Sequence, residues 1–173
     1  MQREVDNLLG GVGLVRPSAG EVLHFSEDPS ITEFTPHVAP TAVQPQKYVW
    51  AVDYDRAPSY WFPRNCPRIL TWARSETTDA DRALFLGTSW RVHAIEYAWL
   101  SVMHRTVLYA HRFAATDFTP LGAPERHAMV ATKTVRPLAL PEKVGSLLAA
   151  HEAAGIELRL LPKLWPYWKT GHH

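Results

Sequence analysis

Fourteen prolines in a chain of 173 residues limit its fold more than any other feature. Proline lacks a backbone N–H and ends helices and central strands, so a chain rich in proline forms short elements. Pro36, Pro40 and Pro45 follow one another closely and predict an irregular loop of the kind that often borders a site. Seven tryptophans add rigid aromatic surfaces. Together these residues favour a loop-rich fold over a plain helix bundle.

Length and composition indicate one globular domain. The chain has 173 residues, of which 46% are hydrophobic and 20% are charged, and these values are ordinary for a folded protein that buries its own core. We expect a flexible lead-in over residues 1–20, a single domain over 21–169 and a tail over 170–173. His172 and His173 in that tail resemble a remnant of cloning and receive no metal role.

Charge and cysteine usage narrow the classes of partner. The formal net charge of +1 argues against nonspecific binding to nucleic acid, which requires a strongly basic surface. Cys66 is the only cysteine, so nothing indicates an oxidising compartment. The N-terminus lacks a signal-peptide pattern, and no window reaches the roughly 18 apolar residues of a membrane span. We expect a cytoplasmic protein with no membrane partner, and the sequence leaves its oligomeric state open.

Hydrophobic periodicity predicts short strands interleaved with short helices. The predicted strands cover residues 22–25, 48–53, 68–73, 91–96, 106–113, 129–135 and 156–161. The strand over 48–53 is expected to be buried on both faces. The predicted helices are a turn that holds Ile31 and Phe34, segments over 56–62 and 79–86, a segment with Trp99, Leu100 and Met103 on one face, and one that opens at Pro141 and Glu142 and ends at Gly155. Thr77 or Thr78 caps the helix over 79–86, which Gly87 ends. Since the spacing shows no regular βαβ repeat, the predicted class is α+β.

Side chains that can do chemistry are concentrated between Leu23 and Arg68. An imidazole, a nearby hydroxyl, aromatic rings and guanidinium groups together suit an anionic, aromatic ligand. The expected partner is therefore a small molecule or a nucleotide. The candidate binding residues are His24, Ser26, Trp50, Tyr60, Arg64 and Arg68.

Several short segments carry a family resemblance. Leu23-His24-Phe25-Ser26 and Val49-Trp50-Ala51-Val52 resemble the front half of small ADP-ribosyltransferase-like domains, such as the rifamycin-modifying transferases and the RNA 2′-phosphotransferases. Residues 91–96 and 130–138 resemble later strands of the rifamycin-modifying group. The arrangement from His24 to Pro166 is similar to a bacterial family of single-domain proteins whose function is not established. The resemblance implies an α+β domain with two small antiparallel or mixed sheets.

The same resemblance implies NAD as the cofactor, held in a cleft between the sheets. His24 takes the place of a histidine that hydrogen-bonds a ribose hydroxyl, and imidazole suits that task because it can donate and accept. Trp50 stands where the family has a tyrosine, and Tyr60 is a second residue that can stack on the nicotinamide ring.

The family's chemistry also needs a carboxylate, which lowers the cost of positive charge on the sugar as nicotinamide leaves. The resemblance implies Glu96 as this catalytic acid, with Asp117 as the second choice. His24 shares the catalytic role, and Arg64 or Arg68 can grip the pyrophosphate. No metal is expected, because the nine histidines show no spacing typical of a metal site.

Two alternatives to an NAD-dependent transferase stay open, and with them the question whether the protein is an enzyme. His24 with Ser26 and His104 with Thr106 form two His-x-Ser/Thr units, which two-histidine phosphoesterases use for acid and base work on a phosphate. The other alternative is a nucleotide-binding or small-molecule-binding domain that keeps the cleft and does not catalyse. A purely structural interpretation places Trp50 in the core.

Overall fold

A computed structural model describes residues 15–40 and 45–166, and its elements are all short, as the prolines predict. The longest strand in this part of the chain has seven residues. The strands are β1 (Glu21–Ser26), β2 (Val49–Ala51), β3 (Ile69–Trp72), β4 (Arg91–Glu96), β5 (Leu108–Ala114), β6 (Thr119–Leu121), β7 (Ala128–Ala131), β8 (Glu142–Val144) and β9 (Glu157–Leu161). The α-helices are α1 (Asp79–Phe85), α2 (Leu100–Arg105) and α3 (Leu147–Ala153). The 3₁₀ helices are η1 (Ala57–Tyr60), η2 (Tyr97–Trp99) and η3 (Ala115–Asp117).

The chain divides into two compact units, each built from separate stretches. We call the unit formed by residues 15–61 and 107–144 the His24 unit. The described part of the other unit is formed by residues 62–106 and 145–166, and we call it the Glu96 unit. The predicted α+β class is confirmed, whereas three small sheets replace the two that were expected. The predicted lead-in and tail lie largely outside the described residues, and the single domain over 21–169 stays a prediction.

Two antiparallel sheets with the orders β1-β5-β8 and β2-β7-β6 form the His24 unit. Both contribute side chains to one core, because alternate residues of each strand point to the same face. Phe34 lies outside the strands and joins this core while its backbone pairs with that of Val135. The buried core residues are Val22, Phe34, Val49, Ala51, Phe113, Phe118, Met129, Ala131 and Val135.

The Glu96 unit contains a mixed sheet in which β4 pairs antiparallel with β3 and parallel with β9. A buried hydrogen-bond chain joins β4 to α3. Arg91 Nε donates to His93 Nε2 at 2.8 Å, His93 Nδ1 lies 2.8 Å from His151 Nε2, and His151 Nδ1 lies 2.8 Å from the Leu147 carbonyl. Because the final acceptor is a carbonyl, each imidazole accepts at Nε2 and donates at Nδ1. Burial lowers the pKa of His93 and lowers that of His151 to about 4.

Several local predictions are confirmed at the element ends. The Thr78 side chain accepts the Asp81 N–H and caps α1, and Gly87 and Gly155 adopt positive φ angles of 57° and 66° after their helices. The predicted strand over 91–96 is β4. Among the described residues, no helix has the length and apolarity to cross a membrane.

Other local predictions are wrong, and tertiary pairing explains two of the differences. Pro141 and Glu142 do not open a helix, because Glu142–Val144 pairs with β5 and α3 begins only after its cap, Ser146. The predicted helical turn at Phe34 is absent, since that residue forms the bridge to Val135. Strand β6 was not predicted. The strand over 48–53 was expected to be buried on both faces, yet Trp50 is only half-buried.

Candidate functional site

An opening between β1 and β2 is the main irregularity of the His24 unit. Leu23 and Val52 exchange two backbone hydrogen bonds of 2.9 and 2.8 Å, and His37 and Tyr48 exchange two of 3.1 and 3.0 Å. In an antiparallel ladder the hydrogen-bonded pairs recur at every second residue, so Phe25 and Trp50 would form the next pair after Leu23 and Val52. That pair is not made. The pairing of β1 with β2 therefore stops after one bridge, and the next bridge on this side of the β2 segment is made by His37, which lies beyond the end of β1.

His24 occupies part of this gap. Its Nδ1 lies 2.7 Å from the Trp50 carbonyl oxygen, which would otherwise lack a partner on this side of β2. Because a carbonyl only accepts, Nδ1 carries the proton and Nε2 presents a lone pair. Nε2 has no hydrogen-bond partner within residues 15–40 and 45–166. Burial lowers the pKa of His24 to about 4, although the bond to Trp50 opposes the shift, so the imidazole is neutral at pH 7.

The gap forms a hollow of about 140 Å³. Its lining residues are Leu23, His24, Phe25, Trp50, Ala51, Val52 and Tyr60. This volume is below the roughly 300–1,000 Å³ of pockets for drug-sized ligands and near the roughly 150 Å³ of a cavity that binds benzene. The hollow therefore has room for one aromatic ring and not for a whole dinucleotide.

Backbone groups give the hollow a polar edge. Since the N–H and C=O of Leu23 point toward β2, those of Phe25 point the same way, and the corresponding groups of Trp50 point toward β1. The Phe25 N–H and C=O and the Trp50 N–H have no partner in the described chain. Phe25 thus presents one donor and one acceptor side by side, as the edge of a sheet does to an added strand.

Phe34 and His111 hold the His24 ring, and sequence reasoning gave neither a site role. The Phe34 ring meets the His24 ring edge-on with centroids 5.0 Å apart, and it meets His111 in the same way at 5.0 Å. His111 pairs with His24 across the β1–β5 ladder and is fully buried. Its Nε2 lies 3.3 Å from the Asp28 carbonyl. The alternation of β5 places His111 on a face, but the cross-strand register that brings it to His24 is not visible in the sequence.

The structure brings together His24, Trp50 and Tyr60, three of the predicted site residues, at this hollow. Trp50 alternates with the buried Val49 and Ala51, so it lies on the face of β2 opposite to the core, where the Tyr48 ring meets it edge-on at 5.6 Å. Trp50 therefore does not belong to the core, although a purely structural interpretation of the sequence had placed it there. Its indole Nε1 is buried and has no partner among the described residues. Tyr60 ends η1 and is 41% exposed.

Ser26, also predicted to bind the ligand, is used by the turn after β1. Its hydroxyl accepts the Asp28 N–H at 3.0 Å, and the Asp28 carboxylate accepts both the N–H and the hydroxyl of Ser30. These bonds lower the pKa of Asp28. Ser26 does not line the hollow. Its role in this structure is to begin the loop that leads to Phe34.

Comparison with known proteins places the chain in a family without assigning a reaction. A model of a family of unknown function, DUF6886, matches residues 23–171. The chain belongs to the DUF6886 family. No curated protein and no solved structure matches the chain significantly. The matched region of this DUF6886 protein includes all the lining residues of the hollow.

The remaining predicted residues of the DUF6886 chain have partners of their own. In the Glu96 unit, Glu96 accepts the Leu164 N–H at 3.1 Å and lies 3.9 Å from Lys163 Nζ. In the His24 unit, Asp117 forms an ion pair of 2.8 Å with Lys133. Both predicted acids therefore have local partners, and neither is among the lining residues of the hollow.

The two predicted arginines belong to the Glu96 unit. Arg68 donates to the Cys66 carbonyl at 3.1 Å, and its guanidinium lies 4.8 Å from the centroid of the Phe62 ring. Arg64 is exposed. Burial raises the pKa of Cys66 to about 11, so its thiol is protonated at neutral pH and a weak nucleophile.

His104 and Thr106, the second unit of the phosphoesterase alternative, also belong to the Glu96 unit. His104 is exposed on α2, and the Thr106 hydroxyl donates to the Val102 carbonyl at 2.7 Å. Among residues 15–40 and 45–166, no three His, Cys, Asp or Glu side chains cluster so as to hold a metal ion.

Proposed function

We propose that the chain is an ADP-ribosyltransferase-like protein that binds NAD, and that the nicotinamide end of NAD occupies the hollow beside His24. The observation that carries the proposal is the missing pair of Phe25 with Trp50. A primary carboxamide has a C=O and an N–H that complement the N–H and C=O of one strand residue, so it can take the place of the missing strand partner. A pyridine ring fits the volume of about 140 Å³.

His24 supplies the second recognition element in this proposal. Its Nε2 is an acceptor of fixed direction, because the bond from Nδ1 to the Trp50 carbonyl sets the tautomer. The ribose hydroxyl next to the nicotinamide is a donor that can reach such an acceptor. Trp50 and Tyr60 contribute aromatic surface, and cationic nicotinamide is attracted to aromatic faces.

The transfer step that the resemblance implies breaks the bond between C1′ of the ribose and the pyridine nitrogen. Nicotinamide leaves with the bonding electron pair, the ribose develops positive charge, and an acceptor nucleophile forms the new bond and loses its proton. A carboxylate near the sugar stabilises this charge. Glu96 is the predicted carboxylate, with Asp117 as the second choice.

A second candidate function, NAD binding without cleavage, is supported by the partners of those acids. Glu96 is bonded to Leu164 and paired with Lys163, and Asp117 is paired with Lys133. A carboxylate that stabilises positive charge on the ribose has to be released from such contacts, and that rearrangement costs free energy. Release of free nicotinamide from NAD separates the two candidates.

Calorimetric titration with NAD, nicotinamide and nicotinic acid tests the proposal. Nicotinamide is expected to bind more tightly than nicotinic acid, because the carboxylate of nicotinic acid cannot donate to the Phe25 carbonyl. His24→Ala is expected to abolish NAD binding while the free energy of unfolding changes by about 1–2 kcal/mol.

His37→Ala is the matched control, because His37 is an exposed histidine of the same unit that does not line the hollow. It is expected to leave NAD affinity unchanged. Equal affinity for nicotinamide and nicotinic acid, or NAD binding that survives His24→Ala, contradicts the proposal.

A further inference from the structure

We propose that the loop between β6 and β7 sets the position of Tyr60, and thereby the affinity of the hollow, through two ion pairs with the turn after β2. This inference rests on the proposed function for its ligand. Its four charged residues, which we call the clamp, are Asp53, Arg56, Glu125 and Arg126. They are positioning residues, because none of them lines the hollow.

The clamp joins two chain segments that are distant in sequence. Arg126 Nε lies 3.1 Å from Asp53 Oδ2, and Arg56 Nη2 lies 3.2 Å from Glu125 Oε2. Asp53 also accepts the Arg56 N–H at 3.0 Å through Oδ1, and its carbonyl accepts the Ala57 N–H at 3.0 Å. One carboxylate therefore shapes the turn and holds it to the loop.

The loop that presents Glu125 and Arg126 is itself tightly closed. His127 N donates to the Leu121 carbonyl at 2.9 Å across its base. Gly122 has a φ of 115°, and a Cβ at this position would lie 2.2 Å from His127 Nδ1 and 2.6 Å from the Glu125 carbonyl oxygen. Only glycine fits there. The two clamp residues are thus held on a well-defined loop.

The turn held by the clamp connects two walls of the hollow. Val52 precedes the turn and Tyr60 follows it at the end of η1, and both line the hollow. Backbone hydrogen bonds connect η1 to this turn, because the Ala57 N–H donates to the Asp53 carbonyl at 3.0 Å and the Ser59 N–H donates to the Arg56 carbonyl at 2.9 Å. A shift of residues 53–56 therefore displaces Tyr60, which ends η1 and is 41% exposed.

Hydrogen exchange tests the clamp without any ligand. Asp53→Asn keeps the side-chain oxygen that accepts the Arg56 N–H and removes the charge that faces Arg126. We expect amide exchange over residues 57–61 to rise about threefold, the effect of one partly exposed ion pair. Lys133→Gln, which breaks an exposed ion pair elsewhere in the same unit, is expected to leave this exchange unchanged. Unchanged exchange in Asp53→Asn overturns the proposal.

Titration with benzamide tests the effect on the hollow. Benzamide is uncharged, so salt affects its binding only through the protein. We expect Asp53→Asn to weaken benzamide binding about threefold and to reduce the salt dependence of the affinity, of which the part due to the Arg56–Glu125 pair remains. The double variant that combines Arg56→Glu with Glu125→Arg exchanges the two charges of one ion pair. It should restore the benzamide affinity that either single variant loses.

A double-mutant cycle shows whether the clamp acts through Tyr60. In a Tyr60→Ala background, Asp53→Asn should have no further effect on benzamide affinity, whereas a general loss of structure would remain additive. Additive effects, or raised exchange with unchanged affinity, overturn the inference. If the wild type binds none of benzamide, nicotinamide and NAD, the proposed function is contradicted. In that case the hydrogen-exchange experiment still tests whether the clamp holds residues 57–61.

Discussion

His24 illustrates how one side chain can take the place of a missing backbone hydrogen bond. Its Nδ1 bonds the Trp50 carbonyl at 2.7 Å, where a continuous ladder would have placed the Phe25 N–H. The imidazole is held from the side by Phe34, and its Nε2 is left as an acceptor for a ligand. His24 therefore stabilises the opening and also provides its main side-chain hydrogen-bond acceptor.

The pH dependence of nicotinamide riboside binding tests this role, because this ligand carries the ribose hydroxyl that is proposed to donate to Nε2 and does not titrate between pH 3 and pH 8. The pKa of His24 is lowered to about 4 by burial, so Nε2 accepts a hydrogen bond at every pH above that value. We expect a constant affinity from pH 8 to about pH 5 and a loss as the pH falls through about 4. Far-UV circular dichroism at each pH verifies that the protein stays folded. An inflection near pH 6.5, the value for an exposed histidine, would show that the imidazole is not held as described.

At the scale of elements, the buried chain from Arg91 through His93 and His151 joins β4 to α3. Both imidazoles are fully buried and have lowered pKa values, mainly through desolvation. In the unfolded chain they titrate near pH 6.5, so the unfolded state binds more protons below that pH. Their stabilising contribution is therefore complete above pH 6.5 and is lost as the pH falls toward 4.

We expect the free energy of unfolding to decrease from pH 6.5 to pH 4 with a slope that approaches about 1.4 kcal/mol per pH unit for each of these histidines. His151→Phe removes one titrating group, so the slope should become shallower. The same variant should lose about 1–3 kcal/mol at pH 7, because it leaves the buried His93 N–H without an acceptor. Urea denaturation at several pH values measures both effects.

His104→Leu is the control for this experiment, since His104 is exposed in the same unit. It should leave both the stability at pH 7 and the slope unchanged. A wild-type slope that is flat between pH 6.5 and pH 4 would show that the imidazoles are protonated in the folded state.

At the scale of the whole molecule, the predicted roles are divided between two compact units. The hollow with His24, Trp50 and Tyr60 belongs to the His24 unit, while Glu96, Arg64 and Arg68 belong to the Glu96 unit. The binding and cleavage parts of the proposal can therefore be tested separately.

Glu96→Gln tests the cleavage part. The Gln side chain retains an oxygen that can accept the Leu164 N–H, so the fold should persist. If Glu96 is the acid, nicotinamide release from NAD should fall by roughly 100-fold, while the affinity for benzamide stays unchanged. Asp117→Asn is the parallel variant. Nicotinamide release at the wild-type rate in both variants would exclude both carboxylates as the acid, and no release in the wild type would favour the binding domain.

The sequence by itself determined part of the local structure and the residue types at the site. Prolines and glycines predicted short elements and helix ends, Thr78 predicted a cap, and periodicity predicted β4 without error in its bounds. These features depend on neighbours in the chain. The pattern around His24, Trp50 and Tyr60 identified three of the residues that line the hollow.

Tertiary structure decided which strands pair. The strand pairing in turn decided where the hollow forms and which backbone groups line it. The bridges at Leu23 and at His37 leave Phe25 and Trp50 without a pairing to each other, and no local pattern encodes that gap, because it arises from the register of segments far apart in the chain. For the same reason Glu142–Val144 became a strand in place of a helix, and His111 came to lie beside His24. Backbone hydrogen bonds across strands are independent of side-chain identity, so the sequence predicted the side chains of this site and not its backbone edge.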